Sequence, residues 1–399
     1  MTESTFPPPR GCPFHAPEGH LADREAGPMT KVTLSTGQEV WAASRHEDVR
    51  ALLTDPNVSA NRLNPNFPLV IGRRAVQSRQ TAKPTLISMD PPDHGPARRA
   101  VLGEFTVKRL AALRSRIQQI VDEHIDAMLA GPRPADLVAA LALPVPSLVI
   151  CELLGVPYAD HDFFQARTST LLRRTAAEDE ARVASEELRS YMDELVKAKE
   201  AEPTDDLLGR QVLAHRAAGT EDHEALTSLA LLLLIAGHET TANMISLGTA
   251  TLLEHPDQLA AIRRDPAKTP NAVEELLRHL TIVEWVTSRV AMADTSIGGV
   301  PVKAGEGVLT VNLSANHDPS VFADPERIDV DRGARNHVAF GFGAHQCLGQ
   351  NLARVELQVV FDTLFARIPT LRLAVPAAEL PVKDDHTIYG LHKLPITWE

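Results

Sequence analysis

The 399-residue chain contains three cysteines, Cys12, Cys151 and Cys347, which are odd in number, far apart and include no C-x-x-C pair. That excludes a disulfide framework and a zinc ribbon, so any cysteine chemistry rests on a single thiol. Aromatic residues are equally scarce, at 4%, and aliphatic side chains must supply most of the core. Basic charge is in deficit: 40 Lys+Arg against 52 Asp+Glu gives −12, a surface that repels phosphate backbones and anionic lipid. Neither nucleic acid nor a membrane is an expected partner. Long apolar runs are missing too, since the longest, Leu229–Ala236, spans eight residues against the roughly 20 that cross a bilayer. The proline-rich start, MTESTFPPPRGCPFHAP, has no apolar signal-peptide core. These absences together predict a cytoplasmic protein.

The length permits one large domain or two to three ordinary ones. No repeat or low-complexity linker divides it, so the expected organisation is an extended N-terminal segment, 1–30, followed by a single domain over 31–399. Lys31–Trp41, with Thr-Gly at 36 and 37, reads as strand, turn, strand. From Thr106, apolar residues at Leu110, Leu113, Ile117, Ile120, Ile125 and Met128 follow a helical period. Glu224–Glu254 reads as one long helix of roughly 45 Å that ends at His255-Pro256. Strand signals return over 297–305 and 308–313, giving a mainly α protein with small β-sheets. Two stretches, 61–88 and 167–187, show weak periodicity and read as loops over a site.

Cys347 stands in FGFGAHQCLG, a glycine-punctuated loop just before helical spacing at Leu352, Val355 and Val359. A sulfur at a helix N-terminus is favoured as thiolate by the dipole and free N–H groups. Such a thiolate is a nucleophile, a metal ligand or an inert capped cysteine. A nucleophile needs a nearby base, for which His345 is the local candidate. The ligand reading accounts for more residues, because Gly343 and Gly349 then allow close approach to a flat cofactor.

The pattern Phe340-x-x-Gly343-x-x-x-Cys347-x-Gly349 resembles the haem-binding signature of the cytochrome P-450 family of haem-thiolate monooxygenases. The longer string FGFGAHQCLGQNLAR is similar to actinobacterial, class I members. The resemblance implies haem b with Cys347 as axial ligand, a thiolate whose electron push favours O–O cleavage. It also implies a cofactor cradle that includes Phe340, Gly341 and Gly349.

Further motifs follow in the family's order. Ala236-Gly-His-Glu-Thr-Thr241 resembles the oxygen-activation motif, with Gly237 leaving space beside the helix and Thr240 able to bond back to a carbonyl. Glu239 and Thr240 are the implied proton relay. A zinc-protease H-E-x-x-H reading of His238-Glu239 fails, because position 242 is Ala. Glu275-x-x-Arg278 matches the family's structural pair, with Arg332 as its downstream arginine. Buried haem propionates need cations or donors, and the implied partners are His94, Arg98, Arg289 and His345. Gly95-Pro96 interrupts what is usually a run into the helix behind His94.

The implied architecture is the P-450 fold: about a dozen helices, small sheets at one edge, and haem between the long central helix and the Cys347 loop. Family topology places Leu233, Ala236, Thr240, Val286, Thr287 and Ile388 near an apolar small-molecule substrate. The implied reaction inserts one oxygen atom from O₂, with electrons from NAD(P)H through a ferredoxin reductase and a ferredoxin. A basic docking patch including Arg98, Arg99 and Arg354 is expected for that ferredoxin. A peroxide-driven or oxidative-coupling haem enzyme and a non-catalytic haem-thiolate sensor or carrier are the alternatives.

Overall fold

The computed structural model describes residues 6, 10, 13–68, 70, 84–285 and 287–399. Cys12 and Val286 lie outside them, as does half of the predicted 61–88 loop.

Its axis is the helix His223–Glu254, one residue longer at its start than the spacing predicts. Asp222 caps it by accepting the Ala225 N–H at 3.1 Å, satisfying one of the first-turn donors that a helix leaves orphaned. Between Glu224 and Glu239 it carries no acidic or basic residue except His238. A helix apolar on every side belongs in a core, and it packs against helices Pro144–Leu154, Glu178–Ala201, Thr269–Leu280 and Gln350–Arg367. Among the described residues it alone is long and apolar enough to cross a membrane, yet over half of its apolar stretch is buried in the protein. Gly237 does not open a groove, as the motif suggested. A Cβ there would meet Ile150 Cδ1 at 2.8 Å, so the glycine admits the helix Pro144–Leu154.

At one edge five strands lie in the order Met29–Thr33, Glu39–Ala43, Gly307–Thr310, Ser288–Ala291, Val58–Ser59. The first two form the expected hairpin, with Gly37 at φ +79°. The strand expected over 308–313 stops at Thr310, and Asn312–Asn316 is a short helix. Asn312 turns the chain by donating its N–H to the Glu284 carbonyl at 2.6 Å.

Other expectations are corrected. The N-terminal segment read as extended contains the helix Glu18–Ala26. The stretch 167–187 is mostly helical, in Phe-containing His161–Leu172 and in Glu178–Ala201. The first buries only Phe164 and Thr168 and the second begins its buried stripe at Ala184, so neither shows a strong apolar period there. Gly95-Pro96 does not break the helix His94–Leu102, because both fall in its first turn, where a missing N–H costs nothing.

Helix Thr269–Leu280 carries the fold's most buried ion pair. Arg278 grips Glu275 through Nε and Nη2, both at 2.8 Å, with both side chains 0% exposed. Arg332 adds Nε at 3.0 Å to Glu275 Oε1, and the Asp329 N–H donates to the same oxygen at 3.0 Å. Arg278 also reaches the Asn316 carbonyl at 2.9 Å. Removing the arginine strands a buried carboxylate, so Arg278→Ala is expected to cost about 3–5 kcal/mol in denaturant unfolding. Arg182→Ala, which breaks exposed pairs, serves as control and is expected to leave the midpoint unchanged. Equal stability of the two variants would refute the structural role of the pair.

Candidate active site

The loop before helix Gln350–Arg367 is held by its own backbone: Gly341 N–H to the Val338 carbonyl at 2.8 Å, Gln346 N–H to Gly343 at 3.0 Å and Cys347 N–H to Phe340 at 2.9 Å. Gly343 sits at φ +72°, and a Cβ there would lie 2.8 Å from the Leu53 carbonyl oxygen. Helix His46–Thr54 therefore requires a glycine here. Gly349 differs, since a Cβ there would meet nothing within 4 Å. Phe340 lies under the Arg354 guanidinium at 4.6 Å. Cys347 has accessible surface, although its enclosed setting pushes the thiol pKa up. The Gly349 and Gln350 N–H groups donate to the sulfur and oppose that shift, as do Arg98 and Arg354. Cys151 is fully buried in a core helix and its thiol is pushed up to about 12 by burial, which makes it inert.

Around this loop positive charge is under-compensated. His94, at the first position of its helix, stacks on His345 with ring centroids 4.0 Å apart. Arg98 donates to the Gln346 carbonyl at 2.5 Å. Arg289, only 8% exposed, has the Ser288 carbonyl at 2.8 Å. Burial and then Arg62 push the Arg289 pKa down to about 10, while Asp90 opposes them. Burial, Arg289 and His94 push His345 to about 3. Asp90 is itself engaged by the Ala60 N–H at 2.8 Å and by the Ser59 hydroxyl. His94 Nε2 is buried without a hydrogen-bond partner. Three arginines thus share one carboxylate, with two histidines beside them able to donate hydrogen bonds, an arrangement that fits a group bearing additional carboxylates. Arg62 was not foreseen, because it lies in the aperiodic 61–88 stretch.

Ala236 is exposed near the midpoint of the central helix, among the half-buried Leu232, Ile235, Gly237 and Thr240. Thr240 Oγ1 donates to the Ala236 carbonyl at 2.8 Å, the back-bond expected from sequence. Glu239 is buried and points elsewhere, to Lys383 of the C-terminal segment, whose Nζ also donates to Asn243 Oδ1 at 3.0 Å. Burial opposes ionisation of Glu239, but Lys383 holds its pKa below the usual carboxylate value. Glu239 and Thr240 therefore diverge by the 100° of successive helical positions. His238 is a core histidine, with Nδ1 2.7 Å from the Leu234 carbonyl and its ring edge-on to Phe164. Of the other expected substrate contacts, Leu233 and Ile388 are each 8% exposed and Thr287 is half-buried.

Sequence reasoning also passed over Glu274. It accepts from Arg354 Nε at 2.6 Å and Nη2 at 3.0 Å, and from His337 at 3.1 Å. Burial raises its pKa, but these donors outweigh that and hold it at about 2. Arg354 is consequently spent, and Arg98 turns inward to Gln346. Of the three arginines expected in a docking patch, Arg99 alone is exposed.

A cysteine sulfur bonded by backbone N–H groups beside clustered arginines, in a chain whose central helix carries a threonine back-bonded to a carbonyl, fits the haem-thiolate class of protein. The family model described as cytochrome P-450 matches residues 21–369, and the chain belongs to that family. It is 49% identical to a vitamin D3 dihydroxylase of Streptomyces griseolus over 98% of this chain and 96% of that protein. It is 49% identical to a pentalenic acid synthase of Streptomyces avermitilis over 98% and 97%. The crystal structure of MoxA from Nonomuraea recticatena superposes with a TM-score of 0.92 at 57% identity, covering 99% of this chain and 98% of that one. The protein is a haem-thiolate monooxygenase whose cofactor is haem b, with cysteine thiolate as axial ligand.

Cys347→Ala is expected to abolish the strongly red-shifted Soret band of the reduced, carbon-monoxide-treated protein. A band unchanged in the variant would reject Cys347 as the ligand.

Proposed function

We propose that this protein hydroxylates an apolar small molecule of secondary metabolism in the cytoplasm, using O₂ and electrons relayed from NAD(P)H by a ferredoxin reductase and a ferredoxin. The observation that carries the reading is the under-compensated cation cluster beside the Cys347 sulfur. His94, Arg98, Arg289 and His345, joined by Arg62, would hold the two haem carboxylates, and the unpartnered His94 Nε2 supplies one donor. When bound, the haem supplies the oxygen activation that no side chain can perform. The chain's own work is to bind, orient and deliver protons.

Thr240 already gives its hydroxyl hydrogen to the Ala236 carbonyl, so its lone pairs are free to accept. It orders a proton donor beside the helix. Glu239 is the acid behind it, restrained by Lys383 until a proton arrives at its carboxylate. Apolar lining is consistent with an apolar substrate, since Leu229, Leu231 and Ile235 are only partly buried along the same helix as Ala236. Relatives named for vitamin D3 and pentalenic acid agree with small organic substrates. A separate electron carrier is supported by the cysteine count. With Cys347 committed and Cys151 in the core, these residues cannot ligate a four-cysteine iron–sulfur cluster.

The test supplies a ferredoxin, its reductase, NADPH, ¹⁸O₂ and a panel of apolar compounds that shift the haem spin state. One ¹⁸O per product molecule is expected; turnover with peroxide alone would favour the peroxide-driven alternative, and no electron consumption would favour the sensor.

The relay has its own test. Thr240→Ala is expected to lower product per NADPH severalfold with a matching rise in released peroxide. Glu239→Gln is expected to slow O₂-dependent turnover roughly 10²-fold, the low end for a positioned acid. Unchanged coupling in the first and an unchanged rate in the second would remove both residues from proton delivery.

A further inference from the structure

The C-terminal segment folds into a hairpin against the central helix. Val382 pairs with Leu391, Lys383 N–H bonds the Gly390 carbonyl at 2.9 Å, and His392 N–H bonds the Pro381 carbonyl at 2.8 Å. Gly390 is pressed so close to the central helix that a Cβ would lie 2.1 Å from Asn243 Oδ1. At the tip the His386 N–H returns to the Lys383 carbonyl at 3.2 Å. This fold brings the tip residues Asp385 and His386 beside His392 on the returning limb. Among the described residues, one group of three His, Cys, Asp or Glu donors has its ligand atoms within 4.8 Å of one another, and it is Asp385, His386 and His392.

We propose that Asp385, His386 and His392 form a site for a divalent transition-metal ion of the Zn²⁺ type, and that its occupancy clamps the 172–175 connection onto this hairpin. Two imidazoles and a carboxylate suit such an ion, and an exposed site leaves a fourth position to water. Ligand atoms about 2.0–2.2 Å from a tetrahedral zinc lie about 3.3 Å apart. His386 Nδ1 and Asp385 Oδ1 are already 2.7 Å apart, and His392 Nε2 is 3.8 Å from the same oxygen. Half-exposed His392 can close the difference by side-chain rotation alone. His386 is 6% exposed, and its Nε2 is buried without a partner. On metal binding the ring proton moves from Nδ1 to that nitrogen, and the ion takes the place of the hydrogen now shared with Asp385.

The clamp follows from what else Asp385 holds. Its carbonyl accepts the Arg174 N–H at 2.6 Å, and its second carboxylate oxygen accepts the Thr175 hydroxyl at 3.3 Å. Next to it, Arg173 pairs with His386 and the Thr387 N–H bonds the Leu172 carbonyl at 2.9 Å. Residues 172–175 join helices His161–Leu172 and Glu178–Ala201, so fixing the hairpin tip fixes their junction.

The test titrates Zn²⁺ into the haem-loaded protein by calorimetry in a non-chelating buffer, alongside His392→Ala and Asp385→Asn. The wild type is expected to bind one equivalent more tightly than either variant by at least about tenfold, since loss of a direct ligand costs no less than loss of its outer partner. Identical isotherms for all three proteins would overturn the site. Hydrogen–deuterium exchange then tests the clamp: Zn²⁺ is expected to slow the Arg174 and Thr387 amides in the wild type and not in His392→Ala. Zn²⁺ that binds at the three residues without slowing those amides would overturn the clamp.

Discussion

Two adjacent carboxylates on one helix hold this molecule together. Glu274 and Glu275 sit on helix Thr269–Leu280, and each is buried. Burying a charge is costly unless it is paired and hydrogen-bonded, and both are saturated. Glu275 takes Arg278, Arg332 and the Asp329 N–H, which ties the 324–332 segment to the helix. Glu274 takes His337 and Arg354, which ties down both ends of the cysteine loop. Arg354 in turn is one of the two arginines whose charge favours the Cys347 thiolate. Removing either carboxylate would therefore loosen a different support of the same loop.

How far the sequence disclosed this depends on the kind of signal. Cys347, Thr240 and the Glu275–Arg278 pair could be read because their spacings follow a known family's motif order; spacing alone does not single out the last, since Glu186-Glu-Leu-Arg189 repeats it. The central helix was legible because an apolar stretch bounded by His-Pro has few other solutions. Glu274 was hidden by its neighbour: in Glu-Glu-Leu-Leu-Arg one carboxylate matches the pattern, and nothing local shows that the other reaches Arg354, 80 residues on. Gly237 and Gly343 were recognised as necessary, but the close protein neighbours that require them, Ile150 and the Leu53 carbonyl, are remote in sequence. The helical parts of 167–187 were obscured because their inner faces use Thr168 and Ala184 where a strong period needs larger apolar residues.

Charge illustrates the same division between local and summed properties. The chain is net −12, yet the neighbourhood of Cys347 gathers Arg62, Arg98 and Arg289 against Asp90 alone. Mutual repulsion among buried cations is tolerable only if an anionic partner completes the site, and Asp90 is occupied by Ser59 and Ala60. Overall charge thus argues against nucleic acid as a partner while saying nothing about the pocket, where the opposite sign is built in. The same cations explain why the expected docking patch dissolves: arginines near the cysteine are used inward, and an approaching carrier meets a face on which Arg99 is the exposed member of the three.

The proposed proton-delivery motif depends on a segment far from it in sequence. Glu239 lies on the central helix, but its partner Lys383 belongs to the C-terminal hairpin, and Asn243, one turn on, receives the same ammonium and supports Gly390. An ionised Glu239 cannot act as an acid while that ammonium stabilises its charge, so its availability is set by how firmly the hairpin rests on the helix. The hairpin tip also carries residues 172–175, the junction of two helices. One chain of contacts thus runs from that junction through Asp385 and Lys383 to the carboxylate of Glu239.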